Sequence, residues 1–372
     1  MRAINTMRGW NPFVLIGIGL ASLGACASRG PSDALGQVSD PKREPAEVSA
    51  VDVQFLHGGN VLSGTLFCPH APGPHPAIAL VLGSGKQDRE YAGDGTVLGK
   101  HFARNGFACL TWDKPGCGRS TGDFNEQTIQ DRAEEALMAV RFLRARDDIR
   151  PECVGLWGHS QGGMVVPLAA ANSRDVAFLI EVGGWQGPAW QQDVVRVEAE
   201  LRANGFPESS VARATAFARR RMDLIRGAGP FEDLDQAQEA VKAEPWFEHV
   251  HRCDRTLFDS ARRSVEFDSA PSWEKVRCQV LVIFGANDTS SGAAGPLVDI
   301  IRRGLAKAGN RNITVKIFPD ADHSLHRCPT GDRTEVVQST ETSKNKNGSN
   351  FVAGYLDTMT DWLTAIMGKA AP

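Results

Sequence analysis

A short motif around Ser160 constrains the fold of this chain more than any other feature. Residues 158–162 have the pattern Gly-x-Ser-x-Gly; they follow an apolar run that ends at Trp157 and precede a helix-favouring run from Met164 to Ala171. Glycine at the flanking positions lets neighbouring backbone approach a very sharp turn. The motif therefore predicts a strand–turn–helix junction that exposes the Ser160 hydroxyl.

Two neighbours of Ser160 have separate predicted roles. The backbone N–H of Gln161 opens the helix and points to the space where negative charge on a reacting carbonyl oxygen would develop. Gln161 is therefore a candidate oxyanion-hole donor. His159 is expected to pack or to hydrogen-bond locally, and a role as the catalytic base is the less favoured alternative.

The chain around this motif alternates between strand-like and helix-like segments. Residues 51–55 and 61–67 flank a glycine turn and predict a hairpin. Helical spacing of apolar residues occurs at 96–105, 128–146 and 351–367. Apolar runs typical of buried parallel strands occur at 77–82, 107–112, 153–157, 176–182, 279–284 and 313–318. This order predicts an α/β fold with a mostly parallel central sheet covered by helices.

One segment interrupts the alternation, and it sets the predicted domain organisation. Residues 185–272 contain helical segments and prolines without a buried-strand run, so we expect an inserted helical cap, with Arg219 to Arg221 on a solvated helix face. The predicted units are a signal peptide with a lipobox (1–25), a tether (26–50), a first core part (51–184), the cap (185–272) and a second core part (273–372).

Two loops after predicted strands carry an acid and a histidine. Asp288 follows the strand at 279–284, and His323 follows the strand at 313–318. Both lie downstream of Ser160, as expected for an acid that orients a histidine and a histidine that deprotonates a serine. The alternatives are that Asp288 bonds only its own loop and that His326 is the base.

The loop after the strand at 77–82 supplies the second candidate oxyanion donor. Glycines on both sides of Ser84 let the backbone come close to the edge of the sheet, so we assign the donor to the N–H of Ser84. The spacing does not match the glycine-rich phosphate-binding motifs, and Ser84 has no elbow that would make it a nucleophile. Asp113 precedes Ser160 in the chain and is predicted to stabilise its own loop.

The N-terminus has the features of an export signal. Arg2 and Arg8 precede a mostly apolar stretch at 13–24, and residues 23–26 read Leu-Gly-Ala-Cys. This ending resembles a bacterial lipobox, which implies cleavage before Cys26, lipidation of its thiol and a membrane tether. The alternative is cleavage after Ala27 and ordinary secretion. Both interpretations predict an exported protein. The lipobox interpretation also predicts a lipid anchor in the cell envelope, with the outer membrane favoured.

Composition excludes several other classes of protein. The formal charge of −3 becomes −5 without the leader, which gives no basic surface for nucleic acid. Cys109, Cys153 and Cys278 lie in or beside apolar runs and are expected to be buried thiols. His249-x-His251-x-Cys253 does not have a familiar zinc spacing. We therefore predict no metal and no cofactor.

Taken together, the order of Ser160, Asp288 and His323 resembles the α/β-hydrolase superfamily. The loops at 83–89 and 113–120 and the motif at 158–163 are similar to those of bacterial esterases related to the serine aminopeptidase and acylglycerol lipase branch. One departure is Leu82, where lipase-like relatives often have histidine. The resemblance covers residues 51–184 and 273–367 and implies the α/β-hydrolase fold.

The resemblance and the motifs together predict a serine carboxylesterase-type hydrolase that cleaves small-molecule esters through an acyl-enzyme intermediate. A peptidase or acyl thioesterase on the same three residues is the first alternative, and a binding protein with an inactive site is the second. A carboxylate at the elbow would be needed for haloalkane or epoxide chemistry, and Ser160 is not one.

Overall fold

A computed structural model describes residues 48–330 and 350–367, and an eight-stranded sheet forms its centre. The strands lie in the order β1-β2-β4-β3-β5-β6-β7-β8 across the sheet. Their bounds are β1 (Val48–His57), β2 (Asn60–Pro69), β3 (His75–Val81), β4 (Ala108–Trp112), β5 (Ile149–His159), β6 (Phe178–Val182), β7 (Gln279–Gly285) and β8 (Ile313–Phe318).

The first two strands form the predicted hairpin at one edge of the sheet. Strand β2 is antiparallel to both β1 and β4, and the remaining neighbouring strands are parallel. Gly58 and Gly59 make the turn with φ of 54° and 83°, which favours glycine. Strand β1 begins at Val48, where residues 48–50 pair with the end of β2 and so belong to the sheet rather than to the expected tether.

Helices cover both faces of the sheet. Leu98 and Tyr355 are buried on one face, and Val140, Val165 and Ile301 are buried on the other. The helices are α1 (Asp94–Arg104), α2 (Ile129–Arg144), α3 (Gln161–Asn172), α4 (Ala189–Ala203), α5 (Glu208–Asp223), α6 (Phe231–Val241), α7 (Phe247–Val250), α8 (Arg255–Arg262), α9 (Ala270–Trp273), α10 (Ala294–Lys307) and α11 (Tyr355–Met367). In the described part of the chain, none of them has the length and apolar character to cross a membrane.

Strand β3 explains why the sheet appears in the sequence as continuous apolar runs. Ala77 and Ala79 are buried in the core on the α2 and α3 side, and Ile78 and Leu80 are buried in the core on the α1 and α11 side. Both faces of the strand exclude water, so both sets of positions must be apolar. Each buried side chain as large as Leu80 contributes about 2 kcal/mol of hydrophobic stabilisation.

The segment between β6 and β7 carries helices α4 to α9, and α4 to α8 build a third apolar core of their own. The expectation that Arg221 is solvated is wrong, because its side chain is 5% exposed. Its guanidinium forms an ion pair with Asp193 on α4 and donates hydrogen bonds to the carbonyl oxygens of Val250 and His251. Arg221 therefore joins α5 to α4 and to the end of α7.

Candidate active site

Ser160 lies at the junction of β5 and α3, with φ of 56° and ψ of −120°. A positive φ at a residue with a side chain costs about 1–3 kcal/mol, which the surrounding structure must supply. The Ser160 N–H donates to the carbonyl oxygen of Val182 on β6 at 2.9 Å. A Cβ atom on Gly158 would overlap the carbonyl oxygen of Gly162, and one on Gly162 would overlap that of Val81. Both glycines of the motif are therefore sterically required.

The structure brings Ser160, His323 and Asp288 into one line of hydrogen bonds. Nε2 of His323 lies 2.8 Å from Oγ of Ser160, and Nδ1 lies 2.8 Å from Oδ2 of Asp288. A carboxylate only accepts, so Nδ1 carries the proton and Nε2 is left to accept from the serine hydroxyl. The Asp288 side chain is fully enclosed, whereas 19% of the His323 side chain is exposed.

The loop after β7 fixes Asp288 through its second carboxylate oxygen. Oδ1 accepts hydrogen bonds from the N–H groups of Ser290 and Ser291 at 2.8 and 2.9 Å. Oδ1 therefore binds its own loop while Oδ2 binds His323. Gly183, with φ of 59°, lies against this pair; a Cβ there would be 3.4 Å from Nδ1 of His323.

The alternative base, His326, lies in a different environment. Its ring nitrogen Nε2 is 3.2 Å from Oδ2 of Asp94 on α1, and its backbone N–H donates to Oδ1 of Asp322. Burial opposes protonation of His326, but the hydrogen bond and charge of Asp94 prevail and raise its pKa. Asp322 also accepts from the N–H of Ser324, so it holds the loop that carries His323.

The loop after β3 touches the serine. A Cβ placed on Gly83 would lie 3.3 Å from Cβ of Ser160. The N–H of Ser84 on this loop and the N–H of Gln161 at the start of α3 are the two expected oxyanion donors. Within residues 48–330 and 350–367, neither N–H has a hydrogen-bond acceptor.

Two buried cations that the sequence analysis missed hold this loop. Nζ of Lys114 donates to the carbonyl oxygens of Gly83 and Gly85. Nη2 of Arg132 on α2 donates to the carbonyl oxygen of Leu82, and Nη1 donates to Oε1 of Gln161, both at 2.5 Å. Arg132 thus connects the two segments that carry the expected donors.

Lys114 and Arg132 are unusual because they are buried without counter-charges in contact. Their exposed fractions are 2% and 4%, and neither forms a contact ion pair among the described residues, although the charge of Glu135 acts on both. Burial lowers the pKa of both groups below the usual range. The Arg132 guanidinium, which stays protonated, therefore places a positive charge in a water-poor region beneath the loop, where it favours negative charge nearby. A charged residue beside the apolar stripe of α2 was the available signal for Arg132.

His159 hydrogen-bonds within the site, as the sequence predicts. Its Nε2 is 2.9 Å from the carbonyl oxygen of His323, and its Nδ1 is 2.6 Å from Oη of Tyr91. Burial, followed by the neighbouring His323, lowers the pKa of His159 to about 3. His159 is therefore neutral near pH 7 and does not contact the Ser160 hydroxyl through either ring nitrogen.

Asp113 has the predicted loop-stabilising role. Its two carboxylate oxygens accept from the Arg89 guanidinium and from the N–H groups of Arg89 and Arg119. Burial would raise the pKa of Asp113, but these hydrogen bonds hold it below the usual value. Asp113 thus joins the loop after β3 to the loop after β4.

A cavity of about 540 Å³ lies behind the acid loop, between α4, α9 and α10. Trp185, Leu297 and Ser291 line it, whereas Ser160 and His323 do not. Because neither Ser160 nor His323 lines it, we do not identify this cavity with the space in front of the serine. Ser291 lies between the cavity and the site: its N–H donates to Asp288, and its hydroxyl donates to the carbonyl oxygen of Gly183.

The described residues offer no group of three or more histidine, cysteine or acidic side chains that could hold a metal ion. His249 of the His-x-His-x-Cys pattern instead has Nδ1 3.1 Å from Oε1 of Glu200. Cys109 and Cys153 are buried and Cys278 is half-buried, and none of the three forms a disulfide with a described residue.

Comparison with known proteins agrees with this architecture. A model described as "Alpha/beta hydrolase family" matches residues 55–337, and the chain belongs to this family. A solved structure of a Pyrococcus furiosus esterase superposes with a TM-score of 0.52 over 91% of this chain and 97% of the other, at 17% identity, which shows the shared fold.

Two curated relatives match a smaller part of the chain. Quorum-quenching protein AidA of Acinetobacter baumannii is 31% identical over 131 residues, which is 35% of this chain and 42% of AidA. Thiohydrolase aneE of Aspergillus aculeatus is 31% identical over 145 residues, which is 38% of this chain and 43% of aneE. The chain thus spans less than half the length of each relative.

Proposed function

We propose that the protein is a serine hydrolase that cleaves carboxylic esters of small molecules through an acyl-enzyme intermediate. The observation that carries this proposal is the pair of 2.8 Å contacts that join Oγ of Ser160 to His323 and His323 to Asp288. Three residues far apart in the chain meet with the geometry that serine activation requires.

Each residue has a defined step in the proposed reaction. His323 takes the proton of Ser160 as the oxygen attacks the ester carbonyl, and Asp288 holds the imidazole in the tautomer protonated at Nδ1. The N–H groups of Gln161 and Ser84 stabilise the tetrahedral oxyanion. His323 then protonates the leaving alcohol. His323 then deprotonates a water molecule as its oxygen attacks the acyl carbonyl; the bond to Oγ of Ser160 breaks, Oγ takes the proton back from His323, and the acid leaves.

The buried cations support the same step from below. Lys114 and Arg132 donate to the carbonyl oxygens of Leu82, Gly83 and Gly85 and so hold the loop, and the N–H of Ser84 on this loop has no acceptor in the described chain. The charge of Arg132 and the hydrogen bonds of both side chains are in place before the reaction, so they support a developing oxyanion without reorganising when it forms.

Thioester hydrolysis is the second candidate, and the likeness to a thiohydrolase over 38% of the chain favours it. Attack on a thioester uses the same serine, histidine and oxyanion donors. A panel of nitrophenyl esters, acyl thioesters and aminoacyl amides on the purified mature protein separates the esterase, thioesterase and peptidase alternatives.

Substitution Ser160→Ala tests the proposal. In other triads, loss of the nucleophile lowers turnover by on the order of 10⁶-fold. Ser173→Ala is the matched control, because Ser173 lies at the other end of α3 and the one hydrogen bond of its hydroxyl to a described residue is accepted from the N–H of Asp175. Hydrolysis by the Ser160 variant at the control's rate would exclude this serine, and failure of a fluorophosphonate to label it would favour an inactive binding protein.

We also propose that the chain is exported and lipid-anchored at Cys26. Support comes from Arg2, Arg8, the apolar stretch at 13–24 and the Leu-Gly-Ala-Cys ending, all of which lie outside the described residues. Replacement of Cys26 by alanine should move the protein from the membrane fraction to the soluble fraction and remove the lipid mass. Unchanged membrane association of this variant would refute the anchor.

A further inference from the structure

A second chain of hydrogen bonds runs behind Ser160, and the carbonyl oxygen of His323 determines which group donates in each of them. Nε2 of His159 faces the carbonyl oxygen of His323 at 2.9 Å, and a carbonyl only accepts, so Nε2 carries the proton. Nδ1 of His159 must then accept, and the hydroxyl of Tyr91 donates to it at 2.6 Å. The Tyr91 oxygen in turn accepts from the N–H of Gly83 at 3.2 Å.

The ends of this chain lie on the two loops that meet at Ser160. Gly83 is adjacent to Ser84 and lies against the Ser160 side chain. Nε2 of His323 is hydrogen-bonded to the hydroxyl of Ser160. His159 lies on the strand between them, with its ring 5.0 Å from that of His323 and stacked on Trp157 at 6.0 Å.

The backbone at Tyr91 shows that its position is imposed by its surroundings. Tyr91 and Ala92 have φ of 50° and 56°, two consecutive residues with side chains in the left-handed region. Such conformations persist only where neighbouring contacts hold them, and they concentrate at functional sites. A Cβ on Gly83 would lie 2.6 Å from the Tyr91 oxygen, so the hydroxyl occupies the space that the glycine leaves open.

We propose that Tyr91 and His159 are positioning residues that fix the base loop and the oxyanion loop relative to each other. The hydrogen bond between Tyr91 and His159 is the link between the two loops, and neither residue participates in bond making or breaking. This proposal rests on the proposed function, because it assigns the chain of hydrogen bonds a role in aligning His323 and the N–H of Ser84 for the same reaction.

Two substitutions cut the same link from opposite sides. Tyr91→Phe removes the hydroxyl and keeps the ring. His159→Leu removes the ring nitrogen that accepts from Tyr91, together with the donor to the carbonyl oxygen of His323. We expect each to lower kcat by about 10- to 100-fold with KM within about 3-fold, the scale of a small misplacement of reacting groups. The kcat of the double variant should be no lower than that of the slower single variant, because both substitutions remove the same link.

Tyr355→Phe is the matched control. Tyr355 is the other tyrosine of the chain, it is buried, and its hydroxyl accepts from Nε1 of Trp157 without contact to the Ser160 or His323 side chains. We expect its kcat to stay within about 2-fold of wild type. Unchanged kcat for Tyr91→Phe, or reductions that multiply in the double variant, would overturn the proposal.

Wild-type protein gives a test that needs neither turnover nor a variant. Nitrogen chemical shifts of His159 near pH 7 should show a proton on Nε2 and none on Nδ1. The opposite tautomer would overturn the proposed chain even in an active enzyme. Absence of hydrolysis by wild type, with the expected tautomer present, would instead refute the proposed function and leave the hydrogen-bond chain intact.

Discussion

Burial of His159 gives the protein a specific loss of stability in mild acid. Its pKa is about 3 in the folded protein, against an ordinary value of 6.5 in an unfolded chain. Between these values the unfolded chain binds a proton that the folded protein does not, so stability falls as pH decreases from about 6.5 toward 3. At about pH 5 the difference is about 1.5 pH units, and at about 1.36 kcal/mol per unit His159 lowers the free energy of unfolding by about 2 kcal/mol.

Urea unfolding at about pH 7 and pH 5 measures this effect in the wild type and in His159→Gln. The variant is expected to be less stable at pH 7, because the amide lacks the ring that stacks on Trp157, and to lose about 2 kcal/mol less than wild type between the two pH values. His70→Gln is the control, because His70 is exposed, and it should follow wild type. Equal losses in wild type and His159→Gln would refute the reasoning.

Three further substitutions test separate contacts. Asp288→Asn should lower kcat by about 10⁴-fold, because an amide no longer selects the tautomer of His323 protonated at Nδ1; ester hydrolysis near the wild-type rate would contradict this. Arg132→Met should lower kcat by about 10- to 100-fold with little change in KM, through loss of its hold on both oxyanion segments, and a change confined to KM would contradict it. Arg221→Met should lower the free energy of unfolding in urea by about 3 kcal/mol, through loss of the ion pair with half-buried Asp193 and of the hydrogen bonds to the carbonyl oxygens of Val250 and His251; an unchanged urea midpoint would contradict this role.

The fold was predictable from sequence because its strands are buried on both faces. Runs such as 77–82 and 279–284 leave no polar face, and glycine turns mark their ends, so the positions of the strands along the chain and the mostly parallel sheet follow from the pattern; the order of the strands across the sheet does not. The ends of elements were less predictable. Strand β1 starts at Val48 because pairing with β2 extends beyond the alternating pattern, and α11 starts at Tyr355 rather than at Phe351.

Within the site, the predictable residues were those whose chemistry requires a fixed place in the chain. Ser160, Asp288 and His323 each follow a strand, so the carboxyl edge of the sheet brings them together. Tyr91, Lys114 and Arg132 act through contacts that exist only after folding, and a buried cation on carbonyl oxygens leaves at most a weak local pattern, such as a charged residue beside the apolar stripe of α2 at Arg132. For the same reason Arg221 was expected on the surface: a run of three arginines does not reveal which one turns inward.

The most direct test of the central claim is trapping of the acyl-enzyme. After brief reaction with a nitrophenyl ester and acid quench, peptide mass spectrometry of the wild type should show the acyl mass on the peptide that contains Ser160. His323→Ala should show none, because the hydroxyl then lacks its base at 2.8 Å. Continued ester hydrolysis with an acyl group on another residue, or with Ser160 unmodified under every quench time, would contradict the account.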